Sequence, residues 1–288
     1  MKACSPNFSF RIIKKLSERV AFLFYFGDFV YYFFAFWRSY MENVKNASNE
    51  SSVVAKITSK FLAAVFGYMF IGLLVTAAVS LGFSYFIAAR YSENGLLNDV
   101  GYTIVMISGI VAVVLSYVIT FINNIYSLKT GKAPWVGFLL YAVCMGVSFS
   151  LVLLSGVDFG TIGEALGLTA LSFGVVFLIG YFAKSDLSPL LLIAFALLIC
   201  IVLASAFWFL FYLINPAAFS WFNVGISVAI IIFCLLIVGF EANNIGKIVE
   251  KGQGNSNLAL YCAFSLYTDF IALFVRILYL LIVSKKRN

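Results

Sequence analysis

Four ionisable side chains fall inside or at the edge of long apolar runs: Glu164, Glu241, Asp269 and Arg276. A charged group within a membrane span costs about 2.5–3.5 kcal/mol on insertion scales, so each is a functional candidate by default. The chemistry open to them is proton and cation chemistry. Two carboxyls in contact in a poorly hydrated site cannot both ionise easily, and the pair then shares one proton. Such a pair senses pH without histidine, of which the chain has 0. Stripped of that proton it offers hard oxygen ligands suited to Ca²⁺. The absence of histidine removes histidine metal ligands, a Ser-His-Asp triad and the usual pH switch. An aspartic protease needs paired aspartates, and Glu241 is not one. No catalytic residue and no enzyme activity are therefore expected, and no cofactor apart from a transiently bound Ca²⁺. The five cysteines, Cys4, Cys144, Cys200, Cys234 and Cys262, show no C-x-x-C spacing. They read as small apolar fillers rather than a zinc site or a disulfide framework.

The elements that must hold these groups are membrane helices. Of the 288 residues, 63% are hydrophobic and 11% charged, against roughly 45–50% and about 25% in ordinary soluble domains. The excess lies in runs of about 20 or more residues, the length that crosses a hydrocarbon layer of roughly 30 Å as a helix. Lipid offers backbone groups no partners, and dyad alternation is missing, so helices and not barrel strands are expected. Spans are predicted at 61–87, 100–126, 135–155, 162–183, 188–213, 222–246 and 258–283. Short breaks rich in Gly, Pro, Asn or Ser separate them: Ser92–Gly95, Lys129–Lys132 before Pro134, Ser155-Gly156, Lys184–Asp186, Asn215-Pro216 and Gly252–Asn255. The fold class is all-α integral membrane: a seven-helix transmembrane bundle occupying 61–288, preceded by an N-terminal segment 1–60 that is cytoplasmic or interfacial.

Within that segment, residues 20–37 are apolar and strongly aromatic, contain Asp28 and are flanked by Arg19 and Arg38. An interfacial helix on the cytoplasmic leaflet fits this better than an eighth span. It has no small-residue cleavage site and does not read as a signal peptide. Basic residues fix the orientation. Nine Lys or Arg in 1–60, with Lys129, Lys132, Lys184, Lys247 and Lys251, fall on one side, which makes the N-terminus cytoplasmic. Lys285, Lys286 and Arg287 fall on the other side against the rule; a last span that re-enters would remove the exception. The net charge of +7 sits in the tail and loops, so nucleic acid is not an expected partner. The expected surroundings are the lipid bilayer of a bacterial inner membrane, to which the compact loops and the C-terminal Lys286-Arg287-Asn288 point.

Glu241 lies six residues before Lys247, roughly 9 Å inside the cytoplasmic end of the sixth span, and Asp269 lies about 16 Å inside the seventh from the same side. Arg276 follows Asp269 by seven residues, on the same helical face. Two arrangements fit. In one, Glu241 and Asp269 meet across adjacent antiparallel helices and share a proton. In the other, Glu241 snorkels to the cytoplasm while Asp269 pairs with Arg276 or caps a backbone break. Glu164, at the start of the fourth span, reads as a solvated carboxylate favoured by the helix dipole.

The third to seventh spans resemble the Bax inhibitor-1 (TMBIM) family of membrane proteins. The segments that carry the likeness are Tyr141–Ser148, Thr161–Ala165 with Thr169, Ala170 and Phe173, Ala183–Ser188, Gly239–Ile245, and above all Ser265-Leu-Tyr-Thr-Asp269-Phe-Ile-Ala-Leu-Phe274. The last is similar to the family's L-Y-x-D-F-I-x-L-F signature, and Ala183–Ser188 to its T-K-x-D-L-S connection. The resemblance covers about residues 60–283. It implies a bundle with the last helix near the centre, conducting a slow, pH-dependent Ca²⁺ leak under a paired-aspartate sensor. Position by position, those aspartates fall on Glu241 and Asp269, with Arg276 matching a basic residue common beyond the signature. Glu for Asp keeps the charge and lengthens the arm. An arginine that can join the family's sensor from the second helix has no counterpart, since 100–126 holds no Arg or Lys.

Two functions follow as expectations. One is a proton-gated leak for calcium or other cations through the Glu241/Asp269 pair, with Arg276 in support. The alternative is a non-transporting regulatory protein that binds a membrane protease or another membrane partner, for which the N-terminal 60 residues would serve as the docking element.

Overall fold

The computed structural model describes residues 58–93, 96–130, 134–183, 185, 187–214, 216–250 and 256–285, and the aromatic segment 20–37 lies outside them. Among the described residues there are seven helices: α1 Thr58–Tyr91, α2 Asp99–Thr130, α3 Trp135–Leu154, α4 Phe159–Phe182, α5 Ser188–Ile214, α6 Pro216–Glu250 and α7 Ser256–Lys285. Each contains a predicted span or nearly all of it. Counted over the described residues, six are long and apolar enough to cross a membrane, and α5 adds the apolar stretch Pro189–Ala204. The largest boundary difference is at α6, which begins at Pro216 rather than 222. Proline lacks only an N–H that the first helical position leaves unused, so it starts this helix instead of separating two.

The breaks have local causes. Between α1 and α2 the expected turn is a small antiparallel hairpin, β1 Ser92–Glu93 and β2 Leu96–Leu97, with Ser92 opposite Leu97. Asn98 then caps α2: its Oδ1 accepts the Gly101 N–H at 3.0 Å, satisfying one of the orphan donors of a helix start. At the end of α3 the Ser155 N–H donates back to Leu151 O at 3.0 Å. Gly156 then takes φ +75, the left-handed conformation that glycine adopts without a Cβ clash.

The chain forms two compact units. The first holds the described parts of 72–130 and 134–157. Here α2 and α3 run antiparallel, with Gly109 against Leu151 and Gly137 against Asn123. The α1 stretch packs on α3 through Gly146, where an added Cβ would sit 2.8 Å from Thr76 O. The Thr76 hydroxyl lies 3.2 Å from Ala142 O. Small residues let these backbones approach, which is how helices associate where lipid removes the hydrophobic drive.

The second unit holds 58–71 and the described residues from 158 onward. Phe66 of α1 meets Phe177 of α4 edge-on at 5.0 Å between ring centroids, and Phe173 meets Phe270 of α7 at 5.6 Å. Helix α7 runs antiparallel to both α4 and α6, so α4 and α6 are parallel. They touch at backbone distance: a Cβ on Gly180 would lie 2.3 Å from Gly239 O, and one on Gly246 would lie 3.0 Å from Tyr181 O. Helix α7 is the most buried candidate span, with 61% of its apolar window covered against 22% for α1. It is one uninterrupted helix of 30 residues, about 45 Å long. A re-entrant last span is therefore not what this sequence builds: nothing between Ser256 and Lys285 breaks helical hydrogen bonding, and no Gly or Pro occurs there.

Candidate functional site

The site grows from the face that α6 and α7 present to each other. Ser265 and Asp269 are four residues apart, hence stacked on one side of α7. The Ser265 hydroxyl donates to Glu241 Oε1 on α6. Asp269 is 0% exposed and lies beside Glu241, near enough for the two side chains to influence each other. The second Glu241 oxygen, Oε2, is buried and has no hydrogen-bond donor among the described residues. Glu241 turns inward to α7. It does not extend toward the α6 terminus.

Arg276 lies two turns beyond Asp269 on α7 and is buried, 2% exposed. Its Cα lies about 10 Å further along the helix axis than that of Asp269. Glu164 takes no part in this cluster. It is half-exposed near the start of α4 and forms an ion pair with Lys285 at 2.9 Å. The Lys285 ammonium also donates to Thr161 Oγ1 at 3.0 Å. The basic residue that ends α7 thus has an acidic partner beside it, which offsets its departure from the charge asymmetry of the loops.

Two polar residues that the sequence left unremarked shape the site. Ser265 is one, and only its four-residue spacing from Asp269 pointed to it. Asn243 is the other. Its amide nitrogen lies 2.9 Å from Ala183 O, 3.3 Å from Gly180 O and 3.4 Å from Ser185 O. The last carbonyls of a helix have no intrahelical donor, and α6 supplies one to α4 from the side. Together with the Gly180–Gly239 approach, this ties the two parallel helices at the level of Glu241. Three cysteines, Cys144, Cys234 and Cys262, are buried and outside any disulfide among the described residues, whereas Cys200 is exposed.

A set of long apolar helices that bury acidic groups at a helix interface defines a multi-pass integral membrane protein. Residues 58–287 match the profile of the family described as inhibitor of apoptosis-promoting Bax1. The chain belongs to the Bax inhibitor-1 family. It is 30% identical over 229 residues to the inner membrane protein YbhL of Escherichia coli (strain K12), covering 76% of this chain and 89% of that one. It is 28% identical over 238 residues to an uncharacterized protein of Borreliella burgdorferi, covering 81% and 94%. It is also 26% identical over 223 residues to an uncharacterized membrane protein of Streptococcus pyogenes, covering 76% and 91%.

Proposed function

We propose that this protein is a pH-sensitive leak channel for calcium or other cations, gated by protonation of the Glu241/Asp269 pair. It acts in a bacterial inner membrane with its N-terminus cytoplasmic, as a channel and not an enzyme. What supports the reading is that Glu241 is turned toward α7 by its bond from Ser265, one turn before the buried Asp269. Family membership supplies the calcium assignment.

While one proton is shared, a carboxyl–carboxylate hydrogen bond joins α6 to α7. Loss of that proton leaves two negative charges in contact at low dielectric, where their repulsion is many times that in water. Helix α7 then moves off α6, water enters, and the freed oxygens give a passing cation hard ligands in place of its hydration shell. The sign follows: the protonated pair is closed, so the leak rises as pH rises. Arg276, on the same helix, adds a positive charge beyond the pair that limits how far the deprotonated state is destabilised.

Proteoliposomes loaded with a Ca²⁺ indicator test this. Wild type should leak faster as pH is raised, whereas Asp269→Asn and Glu241→Gln should each give a flat profile. An unchanged pH profile in both variants removes the pair from the mechanism. No leak at any pH would favour the regulatory alternative, in which residues 1–60 dock a membrane partner.

A further inference from the structure

We propose that Ser265 is the positioning residue of the carboxyl pair: its hydroxyl holds the Glu241 carboxyl turned toward α7, leaving Oε2 as the oxygen that meets Asp269. The inference rests on the reading of the pair given above. Its first support is the contrast among buried hydroxyls. Ser84, Ser116, Thr120, Ser148 and Thr169 each donate to a carbonyl three or four residues earlier on their own helix. Thr268, on the same helix as Ser265, does likewise to Phe264 O at 2.8 Å. Ser265 stands apart by reaching an ionisable side chain on another helix.

The second support is the length of the acidic arm. Glutamate is one methylene longer than aspartate and has one more rotatable bond. An unheld Glu241 has a wet alternative within reach, since Lys247 lies six residues on toward the end of α6, roughly 9 Å away. Long polar side chains take such routes when nothing retains them. The bond from Ser265, one turn before Asp269, retains this one.

The third support is donor accounting. With Oε1 taken by Ser265, Oε2 has no donor among the described residues. A buried carboxyl oxygen without a donor is costly, so the proton that satisfies it is the one shared with Asp269. Among the described residues of α4 to α7 the other charges are few. Helix α5 has no charged residue, and α4 has only Glu164, which is paired with Lys285 at the opposite end of α7. Besides the pair, α6 contributes Lys247 and Glu250, and α7 contributes Arg276 and Lys285.

The test compares Ser265→Ala, Ser265→Cys and Ser265→Thr in the same proteoliposomes, with infrared spectra of the reconstituted protein. The carboxyl stretching band of Glu241 is identified by its loss in Glu241→Gln. Ser265→Thr keeps a hydroxyl and should leave both the band and the pH profile as in wild type. Ser265→Ala should move the band and displace the midpoint of the leak curve by roughly one pH unit, the scale of a hydrogen bond to a charged group. Ser265→Cys, which keeps the volume and weakens the donor, should do the same and serves if the alanine variant does not fold. Wild-type band position and midpoint in both Ala and Cys variants overturn the role of Ser265. If the pair variants leave the leak unchanged, the gating reading fails, and the band shift alone then decides whether Ser265 positions Glu241.

Discussion

Both units bury hydroxyls and amides, but among the described residues the second alone also buries charged groups. In the first, the buried polar atoms belong to hydroxyls and amides: Thr76, Ser80, Ser84, Ser116, Thr120, Asn123 and Asn124 are all buried, and no described charged residue there is. Most of these hydroxyls bond the backbone of their own helix, an arrangement that lipid tolerates at little cost. In the second unit, Asp269 and Arg276 are buried, and Glu241 turns its carboxyl inward. Charge inside a bundle is expensive and contributes little stability that apolar packing could not supply. The first unit therefore buries no described charge, and the second holds the groups to which the proposed proton and cation response is assigned.

The largest expected effect sets the units against each other directly. Asp269→Asn should abolish the pH response of the leak, while Ser116→Ala combined with Thr120→Val in the first unit should leave it intact. A first-unit variant with a flat pH profile would break the division of labour. Next come the close backbone contacts. Gly180→Ala places a methyl against the Gly239 carbonyl, which must force α4 and α6 apart at a cost of about 1–3 kcal/mol. Gly137→Ala meets only the Asn123 side-chain amide, which can turn away, so its thermal midpoint in detergent should fall less. Equal losses would erase the distinction between a backbone weld and a side-chain contact.

Asn243→Ala removes the donor from the end of α4 and should cost about 1–2 kcal/mol, read as a lower unfolding midpoint. Its expected companion is faster amide hydrogen exchange in the last turn of α4. The smallest effect belongs to Glu164→Gln. The Lys285 pair is half-exposed, so its loss should cost about 0.2–1 kcal/mol and the difference should shrink in high salt.

The helices were legible because their signal is redundant: long apolar runs, with breakers between them, admit few other structures. The acidic pair was half legible. Glu241 and Asp269 fell at depths about 7 Å apart on helical rise, near enough to meet but not enough to exclude a snorkelling glutamate. Ser265 bonds Glu241 on the α7 side, and a serine in an apolar helix usually bonds its own backbone, so its type carried no warning. Asn243 was hidden for a different reason. Its carbonyl partners lie 58 to 63 residues earlier, and a backbone carbonyl has no sequence signature. The Glu164–Lys285 pair spans 121 residues; both ends were visible as charges near one interface, and only their juxtaposition was not.

The single amide of Asn243 has a mechanical consequence. Its bonds to Ala183 O and Ser185 O hold the exit of α4 to α6. Under the proposed gating, repulsion between the two acids would then displace α7 rather than part α4 from α6, with the far end of α7 still tied to α4 through Lys285.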